Sequence, residues 1–331
     1  MTGASGPDLV AFQIDRLGAA GDGLATAADG RTVFLPFTLP GETIRARPGA
    51  PRGAALTAQP EIIDTPSPDR IPPACVHFGT CGGCALQHWA AAPYQAWKAA
   101  QLRAALIRAG FADPPVGPTL SVAPGARMRM DLALRRTGGQ VRLGLHRARA
   151  TEVIDLAECP VLHPELVALL APLRALVRGL AALRREGTVV ANRLDHGIDL
   201  LLGTDAPLTL ADRRRLAGFA ETAALVRLSW ARAGADPEPV AARLPPVLTV
   251  AGVPVRPPPG AFLQAAATET IQQAVLAAFP AALPRKARIV ELFAGIGTLS
   301  FALARLAPVA AFEADAAAVA ALRQAAGAAG L

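Results

Sequence analysis

Three cysteines fall within ten residues of this 331-residue chain, Cys75, Cys81 and Cys84, spaced C-x5-C-x2-C in the run CVHFGTCGGC. The fourth, Cys159, stands apart in ECPVLHP. Four thiolates with close spacing and intervening glycines suit an inorganic centre, because Gly79, Gly82 and Gly83 let backbone amides turn toward sulfur. Structural zinc and an iron–sulfur cluster are both four-thiolate solutions, and spacing alone does not separate them. A chance group of buried thiols is the bland alternative, and a disulfide framework suits a cytoplasmic protein poorly. His77, His88 and His163 lie nearby and read as structural, since the thiols already complete either centre.

A second constellation starts at Arg288. The run RIVELF reads as a buried strand, Ala294-Gly295-Ile296-Gly297-Thr298 as a tight turn, and Leu299 to Leu306 as a helix. Another strand, Val309 to Phe312, ends in Glu313. This is a β-α-β unit whose ligand belongs at the carboxyl ends of its strands, where an acid can accept hydrogen bonds from ribose hydroxyls. The dinucleotide fingerprint wants a third glycine, and Ser300 stands in its place. The pattern therefore favours S-adenosylmethionine, which has no pyrophosphate, over a nicotinamide or flavin cofactor. A ligand-free structural β-α-β is the remaining reading.

The elements that must position these groups can be followed along the chain. Val10, Phe12 and Ile14 alternate with polar or small residues, Asp29-Gly30 and Pro40-Gly41 mark turns, and strands fit Thr32 to Leu35, Glu42 to Arg47 and Ala54 to Ile63. About five short strands in so few residues predict a small barrel of the OB type. Arg16, Arg31, Arg45, Arg47 and Arg52 would decorate it, either as a solvated face or as phosphate contacts. The run DTPSPDRIPP reads as a linker, and a helix from Pro93 to Ala109 can place Trp97, Leu102, Ala105, Leu106 and Ala109 on one face. Between Arg127 and Arg149 a hairpin turning at Gly138-Gly139 has one apolar face (Met128, Met130, Leu132, Leu134, Val141, Leu143, Leu145) and carries seven arginines against one acid, Asp131. Solvation and phosphate contact are again both open. Residues 160 to 245 read as mixed α/β, and Val247 to Val255 as one strand.

Composition bounds the partner. A net charge of +7 points to a polyanion, although the bias to arginine (only Lys98 and Lys286 are lysine) fits a compositional drift equally well. No run of about 18 apolar residues lacks a charge or proline. The best candidate, Leu166 to Leu183, is broken by Pro172, Arg174 and Arg178. A cytoplasmic protein that engages no membrane is expected, with no signal peptide.

The run CVHFGTCGGCALQHW resembles the [4Fe–4S] signature of the bacterial 23S rRNA (uracil-C5)-methyltransferases, and ECPVLHP resembles the place where that family supplies its fourth ligand. PPGAFLQAA resembles the family's P-x-x-F-x-Q motif, VELFAGIGTLS its first cofactor motif and AFEAD its second. The resemblance implies cluster ligation by Cys75, Cys81, Cys84 and Cys159. It implies S-adenosyl-L-methionine contacts from Gln264, Phe293, Thr298 and Glu313, with Gly295 under the adenosine. Thr298 stands where the family often has asparagine.

The implied fold is multidomain: an OB-like TRAM barrel over 1–68, a central α/β iron–sulfur domain over 69–259, and part of a Rossmann-like methyltransferase domain over 260–331. The helix at 93–112 is expected to pack on the last. The implied reaction is methylation of a uridine at C5 in RNA, with 23S rRNA as the partner and a monomeric enzyme. In that reaction a thiolate adds to C6, and a base then removes the C5 proton. With all four cysteines assigned to the centre, no catalytic residue is identified here. The nucleophile and base are expected beyond Leu331, which makes these residues a truncated form that binds RNA better than it methylates it. A noncatalytic RNA-binding protein with a structural metal or iron–sulfur centre is the alternative.

Overall fold

The computed structural model describes residues 9–331, so the first eight residues of the expected barrel lie outside the described part. The chain divides into two compact units, Met1–Ser121 and Val122–Leu331.

The first unit opens with six strands: β1 (Val10–Gln13), β2 (Arg16–Leu17), β3 (Gly23–Thr26), β4 (Thr32–Leu35), β5 (Thr43–Arg52) and β6 (Ala55–Thr65). They form one sheet in the order β1-β5-β6-β4-β3-β2, with β4 and β6 parallel and the other pairs antiparallel. Only Ile14 and Asp15 separate β1 from β2, so a single bent segment pairs with β5 on one side and β3 on the other. The sheet thereby covers both of its own edges. Phe12, Ile14, Val33, Leu35 and Ile44 fill the interior, as their alternation requires, whereas Val10 is exposed. The strand expected to end at Arg47 runs on to Arg52, with register shifts that bend it against β6.

The proline-rich segment after β6 is held down. Glu42, fully buried, accepts from Arg70 Nε at 2.5 Å and Nη2 at 2.8 Å, from Leu39 N at 2.8 Å and from Ser67 N at 3.2 Å. Burial pushes the Glu42 carboxyl up, but the Arg70 guanidinium and the two amides outweigh it and hold it below the usual range. Residues 68 and 69, where the barrel is expected to end, both belong to the first unit. Helix α1 (Ala91–Arg108) follows, with no residue fully buried. Tyr94 and Trp97 pack on Trp89, with ring centroids 6.4 and 6.1 Å away, while Leu102 on the predicted apolar face is exposed.

The second unit is built on a six-stranded sheet in the order β12-β11-β10-β9-β7-β8. Its strands are β7 (Arg129–Thr137), β8 (Gln140–Gly144), β9 (Glu186–Leu194), β10 (Gly197–Thr204), β11 (Arg227–Arg232) and β12 (Glu238–Ala242). β7 and β8 are the predicted hairpin, and its apolar face, Met130, Leu132, Leu134, Val141 and Leu143, is buried. Helices α2 (Pro164–Ala168) and α3 (Leu170–Arg178) lead into β9. Helix α4 (Leu210–Thr222) makes the crossover between the parallel pair β10 and β11.

The single strand expected over 247–255 is instead a two-stranded hairpin, β13 (Leu248–Val250) and β14 (Val253–Val255). Ala251 and Gly252 turn it with φ of 48° and 82°, the double positive-φ geometry that suits a tight hairpin. Helix α5 (Thr268–Ala277) follows, then parallel strands β15 (Ile289–Leu292) and β16 (Val309–Phe312), with α6 (Ser300–Leu303) between them and α7 (Ala316–Ala328) after them. Helix α6 is a single turn, shorter than predicted, because the chain then tightens to a three-residue turn in which Leu306 N donates to Leu303 O at 2.8 Å. Val250, Val255, Leu263, Ile296, Phe301 and Ala321 share one core, which places the expected boundary at 259/260 inside this unit.

Candidate cofactor site

The turn after β15 is fixed by its own backbone. Phe293 takes φ 59°, Gly295 57° and Gly297 99°. A side chain at Gly297 would place its Cβ 2.5 Å from the Phe301 ring, so only glycine lets the turn close over the buried start of α6. Ala294 N donates to Phe312 O at 3.0 Å, and Gly297 N to Ala294 O at 2.9 Å. Phe293 is thrown outward, 91% exposed and in a conformation that costs a non-glycine residue energy. An exposed, strained aromatic at the end of a parallel strand offers a flat face to a planar ligand.

Glu313 follows β16 and faces the same turn. Its Oε2 accepts from Gly295 N at 2.8 Å, and its Oε1 from Ala314 N at 2.7 Å and Asp315 N at 2.9 Å. Those amides, Asp315 foremost, hold its carboxyl below the ordinary range, so it stays an acceptor through the neutral region. Glu291, buried in β15, is the opposite case. Burial pushes its carboxyl up, against the Ser300 hydroxyl that donates to it at 2.5 Å. Ser300, where the dinucleotide fingerprint would need glycine, thus buttresses the turn from below.

Gln264 and Thr298 line one cavity of about 780 Å³ in the second unit, together with Arg193, Asp195, Gln272 and Arg305. The turn 293–298 joins this cavity to the strand ends that carry Phe293 and Glu313. Sequence reading missed Gln272. It is buried on α5 and donates from Nε2 to Thr298 O at 2.6 Å, tying the segment after Gln264 to the glycine turn. Its one visible signal is a polar residue set between Ile271 and Val275 on an otherwise apolar helix face.

The cysteine loop belongs to the first unit and Cys159 to the second. All four residues carry thiols and are half-buried. Phe78 N donates to Cys75 O at 3.1 Å and Cys81 N to His77 O at 2.9 Å, while Gly83 N points at Cys81 Sγ at 3.4 Å. In donor chemistry the set fits a thiolate-held centre with amide support to sulfur. Among the described residues, however, no group of three or more His, Cys, Asp or Glu side chains is drawn together as a metal site. Of the histidines, His163 caps α2 by accepting from Glu165 N at 3.3 Å. His88 is buried against Phe37 and Phe78, with no partner on either ring nitrogen.

The arginine faces are largely consumed internally. On the barrel, Arg31, Arg45 and Arg47 pair with Asp29, Asp64 and Glu61. On the hairpin, Arg142 and Arg147 share Glu152, Arg135 takes Glu186, and Arg129 binds Asp131 and Ala261 O. No helix among the described residues is long and apolar enough to cross a membrane.

A parallel β-α-β with a glycine turn and a carboxylate after its second strand has the layout in which open α/β sheets take ligands at their strand ends, and comparison with known proteins shows the family. No family model matches the chain. An uncharacterized RNA methyltransferase of Caulobacter vibrioides is 38% identical over 321 residues, covering 95% of this chain and 74% of that protein. The 23S rRNA (uracil(1939)-C(5))-methyltransferase RlmD of Aeromonas hydrophila is 30% identical over 305 residues, covering 91% of this chain and 69% of that protein. The chain belongs to this family of RNA methyltransferases. Its fold matches the crystal structure of Pyrococcus abyssi tRNA (uracil-54, C5)-methyltransferase in complex with S-adenosyl-L-homocysteine, with a TM-score of 0.68 and 18% identity over 97% of this chain and 77% of that one.

Proposed function

We propose that the protein is an S-adenosyl-L-methionine-dependent RNA (uracil-C5)-methyltransferase acting on 23S rRNA. The observation that carries this reading is the glycine turn, which presents the exposed Phe293 and the amide-tethered Glu313 at the carboxyl ends of two parallel strands. In this reading Phe293 lies against the adenine and Glu313 accepts from the ribose hydroxyls, while Gln264 and Thr298 hold the polar end of the cofactor. When bound, the cofactor supplies an electrophilic methyl group. Gln272 and Ser300 keep the turn in place, and the target base leaves its stack to reach the site. The relative from Aeromonas hydrophila supports the choice of uracil and of 23S rRNA.

The barrel over residues 1–68 serves as an RNA-binding TRAM module of the OB type, residues 69–259 as the iron–sulfur domain and residues 260–331 as the cofactor domain. Cys75, Cys81, Cys84 and Cys159 hold a [4Fe–4S] cluster, which enters no step of the methyl transfer. With four cysteines in all and four so assigned, none is left to attack C6 of uridine. The cofactor reading is tested by calorimetry, in which the 331 residues are expected to bind S-adenosyl-L-homocysteine. Efficient 5-methyluridine formation would return one cysteine to catalysis and break the cluster assignment. A folded protein that ignores the cofactor would overturn the whole reading.

A further inference from the structure

The net charge of +7 is unevenly spread. Residues 1–121 carry nine basic and nine acidic side chains, whereas residues 122–331 carry 24 and 17. The barrel unit is thus neutral overall, and the entire excess belongs to the second unit. Within residues 122–193 there are twelve basic and six acidic side chains, so the excess concentrates on one stretch that includes the connection from α3 to β9.

That connection, residues 179–185, is tied to the start of α4 by its backbone. Arg184 N and Arg185 N donate to Asp205 at 2.8 and 2.9 Å, and Ala181 N to Asp212 Oδ1 at 2.9 Å. Arg215 Nη1 reaches Gly179 O at 2.5 Å. The acids that hold or flank this loop are already engaged among the described residues: Asp205 and Asp212 by amides, Glu186 by Arg135 at 2.9 Å. Beneath the loop, Arg136 donates to the carbonyls of Val177, Arg178 and Leu183 at 3.0, 2.9 and 2.7 Å. It has no carboxylate partner among the described residues, so its full positive charge stays under the surface. Arg178, Arg184, Arg185 and Arg214 are exposed and make no ion pair among the described residues. On the barrel and the hairpin, by contrast, Arg31, Arg45, Arg47, Arg135, Arg142 and Arg147 are matched to acids, and Arg16 and Arg127 are the exposed arginines left without one among the described residues.

We propose that this loop, with Arg178, Arg184, Arg185 and Arg214 set around Arg136 and Arg215, is a docking surface for the phosphodiester backbone of the RNA substrate. The inference rests on the reading that the chain acts on RNA, and it moves the main electrostatic contact from the barrel to the second unit. Unpaired guanidinium groups on a rigid loop release counterions when phosphates replace them, and each such contact steepens the dependence of affinity on salt by about 0.7 to 0.9 in log–log slope. The acids that hold or flank the loop, being engaged, do not compete with those phosphates.

The test measures binding of an unmodified 23S rRNA fragment by fluorescence anisotropy across a salt series, for the parent chain and for R178Q/R184Q/R185Q/R214Q. The quadruple variant is expected to bind at least tenfold more weakly at low salt, with a salt slope smaller by about 3. A matched variant on the barrel, R31Q/R45Q/R47Q, is expected to change the slope by less than about 1. Thermal unfolding and S-adenosyl-L-homocysteine binding of each variant confirm that fold and cofactor site are intact. An unchanged slope in the quadruple variant, with the parent binding RNA well, overturns the docking surface and leaves the methyltransferase reading standing. A parent chain with no salt-dependent RNA binding overturns both.

Discussion

The turn that follows β15 and the loop that carries Cys75, Cys81 and Cys84 are both short, glycine-punctuated segments, yet they are held in different ways. The first is closed by partners within one unit: Gly297 fits under Phe301, Gly295 N meets Glu313, and Gln272 pins Thr298. The second has turn hydrogen bonds of its own but takes its proposed fourth sulfur from Cys159, far along the chain. Backbone sterics can shape a five-residue turn without any ligand. Gathering four sulfurs asks for bonds to the metal itself, and that binding energy is then part of folding. The cofactor turn should therefore stand before its ligand arrives, whereas the cysteine centre should depend on being filled.

The largest expected difference between the two regions is in acid. His88 packs on Phe78 of the cysteine loop, and burial first, then the Arg70 guanidinium, push its imidazole from 6.5 down to about 4. A ring whose folded pKa lies below its unfolded value contributes stability that is complete above the unfolded value. That contribution is lost as pH falls from about 6.5 to about 4. The span corresponds to roughly 3 kcal/mol. Denaturant unfolding at pH 7 and pH 4.5 should show the parent losing about 2 kcal/mol more than His88→Leu, which has no charge to acquire. Equal losses would mean that the ring finds a partner or water on protonation. In the cofactor turn, Glu313 is held below the ordinary carboxylate range by amides and gives up its contribution only as pH falls through and below that range, so it responds at lower pH than His88.

Glycine substitutions sharpen the contrast on a smaller scale. Gly297→Ala meets both a positive φ and the Phe301 ring, and should cost about 2 kcal/mol in unfolding and abolish tight S-adenosyl-L-homocysteine binding. Gly79 in the cysteine loop has φ 84° but open space around it, so Gly79→Ala should cost only about 1 kcal/mol. Comparable costs at the two sites would show that the cofactor turn is no more tightly packed than the loop.

The β-α-β unit could be read in advance because strand, turn and acid follow one another within Arg288 to Glu313, and the hairpin over Arg129–Gly144 because its alternation is unbroken. What escaped depends on partners far apart in sequence. The pairing of Arg135 with Glu186 and of Arg45 with Asp64 decides which arginines stay available, and no local pattern announces it. Gln272 is functional only through the packing of α5 on the glycine turn. The turn at Ala251-Gly252 was hidden in an apolar run, because alanine rarely takes a positive φ and gives no turn signal. That Arg70 anchors the proline-rich segment has no local signal either, because its partner Glu42 precedes β5 and β6 in the chain.

The smallest expected effect gives the most direct test of the central claim, that residues 264–313 form a preorganised cofactor site. S-adenosyl-L-homocysteine is titrated calorimetrically into the iron-loaded parent chain and into Cys81→Ser, with iron content and visible absorption measured on the same samples. The account predicts that the variant loses the colour and iron of the proposed cluster while its affinity for the nucleoside stays within about threefold of the parent. Absence of binding in a folded, iron-loaded parent would contradict it.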